Sequence, residues 1–214
     1  MENYRKIISP KNPNIILRVI PGHFVTRYSH INYYVDMTGM KSRQSEANAV
    51  AEEISTYYAS SAIVDTIVCL DGCEVIGAYL SEKLTAAGTI SMNAHKTIYI
   101  MAGPEYSIDG QMIFRENVRS LIKNKHVLVL LASATTGRTL QRVVNTIKYY
   151  GGTVTGISAI FSITDEVDGI PVTHIFNQHD LPDYESYSHG ECKLCQSGTP
   201  VDAMVNSFGY SRVS

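Results

Sequence analysis

The 214-residue sequence has no tryptophan, no long hydrophobic run and no marked excess of one charge. Its longest uninterrupted apolar run, Val127 to Ala132, is far too short for a membrane-spanning helix. With 18 Lys and Arg against 20 Asp and Glu, the net charge of -2 provides no basic surface for nucleic acid or for an anionic membrane. We therefore expect neither nucleic acid nor a membrane among its partners.

Cysteine is scarce as well. Four cysteines are too few for a disulfide scaffold, and the N-terminus, MENYRKIISP, lacks the apolar stretch of a signal peptide. We therefore expect a cytoplasmic protein. Because 44% of the residues are hydrophobic, the chain can build a real core, which excludes a disordered protein.

From about residue 42 onward, helical and extended patterns alternate. Apolar residues at three- and four-residue spacing predict helices at 42–60, 74–87 (with Gly88 as its stop) and 139–150. Short apolar runs predict strands at 62–70, 97–101, 126–132, 153–160 and 172–176. The run at 126–132 is typical of a central parallel strand buried on both faces. This alternation predicts an α/β core with a parallel sheet.

The first forty or so residues do not follow this alternation. β-Branched and aromatic residues broken by turn residues predict two or three short strands over 14–20 and 24–38, with a turn at Pro21-Gly22. We expect these strands to form a small lobe over the core. The Gly- and Pro-bearing segment 102–111 is predicted to be a mobile loop.

The segment 127–152 carries the clearest functional signal, because a buried strand runs through Ser-Ala-Thr-Thr-Gly-Arg-Thr directly into a helix. Ligands of open α/β sheets bind at the carboxyl ends of strands, and the free N–H groups of a helix N-terminus suit a phosphate. Gly137 permits close backbone approach, and the nearby threonine hydroxyls add donors. The alternative is an ordinary turn in which a threonine caps the helix.

This segment resembles the signature of type I phosphoribosyltransferases. The resemblance implies a single domain with a phosphoribosyltransferase-like parallel sheet flanked by helices (core about 42–176) and a small N-terminal hood lobe (about 1–40 plus the C-terminal part). It also implies that the loop binds the 5-phosphate of phosphoribosyl pyrophosphate (PRPP). The residues in that role would be Ala134, Thr135, Thr136, Gly137, Arg138 and Thr139.

Three further segments support the resemblance. The sequence VCLDGCEVIG (68–77) is similar to the family's first strand and pyrophosphate loop, which implies that Asp71 and Gly72 bind pyrophosphate. FVTRYSHINYYVD (24–36) resembles the hood of orotate phosphoribosyltransferases, with Arg27 where the family has a lysine near the base and pyrophosphate. CKLCQSGTP (192–200) resembles a tail of some bacterial members.

The resemblance implies an orotate-type transferase that moves ribose 5-phosphate from PRPP to a nucleobase and releases pyrophosphate. It further implies Mg²⁺ as the cofactor, bound through PRPP, and a homodimer.

The sequence departs from the family pattern in three places: a residue pair, a segment and a single residue. Leu131 and Ala132 occupy the places of two acids that contact the ribose hydroxyls, and neither side chain can accept a hydrogen bond. The segment after residue 101 has no Lys or Arg until Arg115, where orotate enzymes carry a lysine-rich loop. Arg138 replaces a usual glycine, as either a bidentate phosphate contact or a solvated side chain. We therefore expect reduced activity; the alternative is a non-catalytic regulatory protein that binds PRPP or a nucleotide.

The C-terminal Cys-x-x-Cys is a weak zinc candidate. Cys192 and Cys195, with His189 just upstream, have suitable ligand types, and His174 or His179 would supply the fourth ligand. Plain thiols or a redox pair are the alternatives.

Overall fold

A computed structural model of the chain describes residues 4–86 and 90–213. In chain order its strands are β1 Arg5–Ile8, β2 Ile16–Val25, β3 His30–Asp36, β4 Thr66–Cys69, β5 Tyr99–Ala102, β6 Glu105–Tyr106, β7 Met112–Ile113, β8 His126–Ala134, β9 Thr153–Ser162, β10 Glu166–Val167, β11 Ile170–Asn177, β12 Ser186–Tyr187, β13 Ala203–Asn206 and β14 Gly209–Arg212. The helices are α1 Thr38–Ser42, α2 Gln44–Tyr58, α3 Glu74–Thr85, α4 Arg138–Tyr149 and α5 Lys193–Gln196, with a 3₁₀ helix at Glu116–Leu121.

The core is a six-stranded sheet in the order β10-β11-β9-β8-β4-β5. All neighbours are parallel except β10 and β11, which form an antiparallel hairpin. The central position of β8 follows from its nearly continuous apolar run, because only such a strand can be buried on both faces. The prediction of a parallel α/β sheet is confirmed.

The two faces of β8 contribute to two different hydrophobic cores. Leu128 and Leu130 belong to the core that contains the buried residues of α2 and α3. Val127, Val129 and Leu131 belong to the core that contains the buried residues of α4. Burial of each Leu or Val side chain stabilises the folded state by about 1.5–3 kcal/mol. Because Val127, Val129 and Leu131 share their core with the buried residues of α4, this burial holds α4 against the sheet.

A second sheet, the hood, runs in the order β12-β3-β2-β13-β14, with β1 paired to β2. It joins the beginning of the chain to its end. The predicted turn at Pro21-Gly22 is wrong: β2 continues through these residues with a bulge, and pairing resumes at Phe24 and Ile31. The bulge is stable because Asp202 accepts a 2.7 Å hydrogen bond from the His23 backbone N–H. The chain reverses instead at residues 26–29.

The other elements match their predicted positions with shifted ends. Strand β8 extends two residues beyond the predicted 126–132, which carries it into the loop before α4. Helix α3 ends at Thr85, and its predicted stop at Gly88 lies outside the described residues. The segment predicted as a mobile loop contains the small β6–β7 hairpin. None of the described helices combines the length and the apolar character needed to cross a bilayer.

Candidate active site

A cleft of about 670 Å³ opens between the core sheet and the hood. Its floor is formed by the carboxyl ends of β4, β5 and β8, and its roof includes the turn between β2 and β3. The β6–β7 segment and the β13–β14 hairpin close two of its sides. The parallel sheet thus places its strand ends where a ligand is expected.

The loop between β8 and α4 presents a helix N-terminus to this cleft. Gly137 is the N-cap residue, with φ of 65°, and no side chain caps the helix in this described segment. The first bond within the helix runs from Gln141 N–H to the Gly137 carbonyl, at 2.8 Å. The N–H groups of residues 138–140 therefore have no acceptor within the helix. The interpretation of a threonine cap is wrong, and the free N–H groups suit an anion.

The loop is held from behind by the segment that follows β9. The Thr164 hydroxyl donates to the Thr135 carbonyl at 3.1 Å, and the Ile163 N–H donates to the Ala134 carbonyl at 3.0 Å. A Cβ at Gly137 would lie 3.4 Å from Thr164 Cγ2, and the positive φ is strained for any side chain. These contacts fix the backbone shape before any ligand arrives.

Most of the predicted phosphate-loop residues line the cleft. They are Ala134, Thr135, Thr136, Gly137 and Thr139. Arg138 does not: its exposed side chain lines a separate shallow depression near Thr164 and Glu166. Of its two sequence interpretations, the solvated first-turn side chain fits the structure.

Asp71 and Gly72 form a tight turn opposite the phosphate loop. Their φ values are 56° and 78°, and Cys73 N–H donates to the Leu70 carbonyl at 3.1 Å, which is the pattern of a type I′ turn. The backbone N–H groups of Ala132 and Ser133 face the Asp71 carboxylate and favour its ionised form. Burial raises the pKa of Asp71, although nearby Lys41 and the two N–H groups oppose the shift.

Lys41 is a cleft residue that sequence reasoning missed. It lies in the last turn of α1, and its Nζ donates to the carbonyls of Asp71 at 2.8 Å and Ser207 at 3.0 Å. It therefore places a positive charge directly at the Asp71-Gly72 turn. The sequence around Lys41 does not indicate a binding role, because it is a single lysine in a five-residue helix. The fold alone brings it to the cleft.

Arg27 lies at the rim of the cleft, in the turn between β2 and β3. Its guanidinium carbon is 4.8 Å from the ring centre of Tyr106 and 5.3 Å from that of Tyr28. Arg142 of α4 approaches the same Tyr106 ring at 5.3 Å. Burial, followed by the neighbouring Tyr28, raises the pKa of Tyr106. Tyr106, in the segment that lacks lysine, therefore lies against two arginines. Of the two, Arg27 lines the cleft and Arg142 does not.

Comparison with known proteins gives a consistent result. No protein-family model matches the chain. It is 28% identical to the orotate phosphoribosyltransferase of Chlorobaculum parvum over 188 residues, which cover 86% of this chain and 88% of that protein. A phosphoribosyltransferase structure from Corynebacterium diphtheriae superposes with a TM-score of 0.54 at 16% identity, covering 77% of this chain and 90% of the other. The fold is that of the type I phosphoribosyltransferases, and the sequence is orotate phosphoribosyltransferase-like.

A third match is the Mycobacterium tuberculosis orotate phosphoribosyltransferase in complex with PRPP, with a TM-score of 0.51 at 15% identity. It covers 69% of this chain and 82% of the other. The predicted resemblance to type I phosphoribosyltransferases is therefore confirmed.

Leu131 and Ala132, the residues expected to replace two acids, lie in the C-terminal part of β8. Both side chains border the cleft but are buried, with exposed fractions of 3% and 6%. Leu131 packs with residues of α4 and Ala132 with the opposite core. Among the described cleft residues, the only carboxylates are those of Asp71 and Glu74. The positions predicted to contact the ribose therefore have apolar side chains, which cannot accept a hydrogen bond.

The predicted zinc ligands are only partly brought together. Cys192 and Cys195 are close in space, but His174 lies on β11 of the core sheet. The histidines beside the two thiols are His23 and His30 of the hood, so the predicted fourth ligand, His174 or His179, is wrong. His189 packs edge-on against the His30 ring at 5.1 Å and is not one of the clustered ligands. Sequence spacing could not reveal this pairing, because the bulge in β2 and the fold of the C-terminal tail create it.

Proposed function

We propose that the protein is an orotate-type phosphoribosyltransferase that transfers ribose 5-phosphate from Mg-PRPP to a nucleobase, slowly, and releases pyrophosphate. The observation that carries this proposal is the uncapped N-terminus of α4, which faces the Asp71-Gly72 turn across one cleft beneath the hood. A ligand with a phosphate at one end and a pyrophosphate at the other matches these two features.

The cleft offers a separate partner for each part of PRPP. The 5-phosphate fits the free N–H groups and hydroxyls at 135–139. The pyrophosphate fits the Asp71-Gly72 turn, where the Lys41 ammonium supplies positive charge. Arg27, at the hood end, lies where a base would enter. The names of the curated relatives and the PRPP complex of the M. tuberculosis enzyme support PRPP as the ligand.

The reaction breaks the bond between the sugar C1 and a pyrophosphate oxygen and forms a bond from C1 to a base nitrogen. Because the sugar becomes cationic on the way, catalysis depends on positioning and on electrostatic stabilisation. The phosphate loop holds the sugar in place, and Lys41 stabilises the charge on the departing pyrophosphate. The base nitrogen loses its proton to solvent or to a nearby proton acceptor.

The cleft has a suitable group for Mg²⁺. Magnesium binds carboxylate oxygens together with substrate phosphates, and the Asp71 carboxylate lies half-buried at the pyrophosphate turn. Burial raises the pKa of this carboxyl, so a cation there would stabilise its ionised form. When bound, Mg²⁺ neutralises charge on the leaving pyrophosphate.

Leu131 and Ala132 support the low activity that we propose, because they offer the sugar of PRPP no side-chain acceptor. A hydrogen bond to a charged group contributes about 1.5–3 kcal/mol, so each missing acid lowers affinity for the sugar by about tenfold or more. The same observation favours a second candidate function, a regulatory protein that binds PRPP or a nucleotide without turnover.

We also propose a homodimer, on the basis of the family resemblance. Ile108, fully exposed at the tip of the β6–β7 hairpin, would be covered by a partner subunit. Light scattering should then give twice the 23.6 kDa chain mass, and a value equal to the chain mass would contradict the dimer.

A turnover assay tests the proposed function. Purified protein is incubated with Mg-PRPP and a panel of pyrimidine and purine bases, and pyrophosphate release is measured for each base. We expect slow release that depends on one pyrimidine base and disappears in Gly137→Val. Binding of Mg-PRPP with no base-dependent release from any base would establish the regulatory alternative instead.

A further inference from the structure

A cluster of two histidines and two cysteines lies in the hood, away from the phosphate loop. His23 comes from β2, His30 opens β3, and Cys192 and Cys195 belong to the segment around α5. One ligand atom from each residue lies within 4.8 Å of all the others. His23 and Cys192 are each only 1% exposed, whereas Cys195 reaches the surface.

The distances between these atoms are close to those of a tetrahedral metal site. With Zn–S of about 2.3 Å and Zn–N of about 2.0–2.1 Å, a tetrahedron places nitrogen and sulfur about 3.6 Å apart. His23 Nε2 lies 3.5 Å from Cys192 Sγ and 3.6 Å from Cys195 Sγ. His30 Nδ1 lies 3.4 Å from Cys195 Sγ. The two nitrogens are 2.9 Å apart, so they need to separate by about half an ångström to reach zinc geometry.

The tautomer of His23 suits metal binding. Its Nδ1 lies 2.9 Å from the Thr199 carbonyl, which can only accept a hydrogen bond. The proton of the neutral ring is therefore on Nδ1, and the lone pair of Nε2 points into the cluster. A backbone carbonyl that orients a ligating histidine in this way is a usual feature of protein metal sites.

We propose that His23, His30, Cys192 and Cys195 bind one structural Zn²⁺ ion. Four protein ligands close the coordination shell, which is typical of a structural site and not of a catalytic one. The segment that carries the two cysteines is short: α5 has four residues and none of them is buried. The ion would join this segment to both strands that flank the 26–29 turn, which carries Arg27.

Metal analysis of protein made without a polyhistidine tag tests the proposal. After dialysis, we expect about one zinc ion per chain, measured by inductively coupled plasma mass spectrometry. Replacement of zinc by Co²⁺ should give the charge-transfer absorption of thiolate–cobalt bonds and the strong visible bands of tetrahedral cobalt. Both signals come from the wild-type chain, so they do not depend on any variant folding, and they are measured without PRPP.

Variants then identify the ligands. Cys192→Ser and His30→Gln should each weaken zinc binding at least about 100-fold, since loss of even a group that only hydrogen-bonds to a ligand weakens metal binding about 10–100-fold. Cys73→Ser removes a buried thiol elsewhere, and His189→Gln removes the histidine that packs on His30; both should keep their zinc.

Wild-type protein that takes up neither Zn²⁺ nor Co²⁺ would overturn the proposal, as would a Cys192–Cys195 disulfide. Loss of zinc from His189→Gln but not from His30→Gln would refute this set of ligands. Failure of the turnover assay would leave the metal measurement unaffected, so the two proposals fail separately.

Discussion

The end of strand β8 and the loop that follows it differ sharply in what they offer a ligand. Residues 135–139 present backbone N–H groups and hydroxyls at an uncapped helix end. Residues 131 and 132, only a few positions earlier and on the same cleft, present apolar side chains packed into the two cores. The proposed phosphate contacts would come mainly from backbone N–H groups, which the fold positions. Contacts to the sugar would need particular side chains, so they can be absent while the loop at 135–139 stays intact.

The largest expected effect is on the phosphate loop. Gly137→Val forces a side chain into a left-handed backbone conformation and toward Thr164, which moves the N–H groups out of place. We expect Mg-PRPP affinity to fall at least about 100-fold, the equivalent of about two lost charged hydrogen bonds. Titration calorimetry measures the change.

The matched control is Gly169→Val, which has a similar positive φ of 76° in the β10–β11 hairpin but no atom within 4 Å of its Cβ position. It should keep wild-type affinity. Equal losses in both variants would mean that general destabilisation, and not the loop, explains the result.

The second prediction restores the missing chemistry. Leu131→Asp with Ala132→Asp adds carboxylates at the sugar positions, so we expect Mg-PRPP affinity to rise at least about tenfold. Because both positions are buried, the melting temperature must be measured first. The control variant Leu131→Asn with Ala132→Asn has side chains of nearly the same shape as Asp but without the charge. It should give a smaller gain in Mg-PRPP affinity. A folded double Asp variant with unchanged affinity would show that another group already contacts the ribose.

The third prediction concerns Lys41. Lys41→Met keeps the length of the side chain but removes the ammonium group at the Asp71-Gly72 turn. We expect affinity for Mg-PRPP to fall about tenfold, while affinity for ribose 5-phosphate, which lacks the pyrophosphate, stays nearly constant. Lys83→Met changes the corresponding basic residue in the last turn of α3 and should leave both affinities unchanged. A parallel loss of both ligands in Lys41→Met would contradict a role at the pyrophosphate end.

The smallest effect is a pH dependence of stability. Burial raises the pKa of Asp71 above its ordinary 3.8, so the native state binds this proton more tightly than the unfolded state. Protonated Asp71 therefore stabilises the native state fully below pH 3.8, and this stabilisation is lost as the pH rises through the raised native pKa. Over that pH range, the free energy of unfolding of the wild-type protein, measured with urea, should fall relative to that of Asp71→Asn. The opposite slope would mean that Lys41 and the two N–H groups outweigh burial.

The sequence predicts the core better than the hood. The strand at 126–132 and the helix at 139–150 could be predicted because their apolar periodicity reflects burial, which is the force that forms them. The bulge at Pro21-Gly22 could not, because Asp202, far away in the sequence, satisfies the His23 N–H there. Lys41 and the His23–His30–Cys192–Cys195 cluster were missed for the same reason: contacts between distant segments create them.

A crystal structure of the protein soaked with ribose 5-phosphate would test the central comparison most directly. We expect the phosphate oxygens within hydrogen-bonding distance of the N–H groups of residues 138–140. The ribose hydroxyls should contact water or Asp71 and have no side-chain partner at Leu131 or Ala132. An empty loop, with the phosphate bound elsewhere on the molecule, would contradict the account.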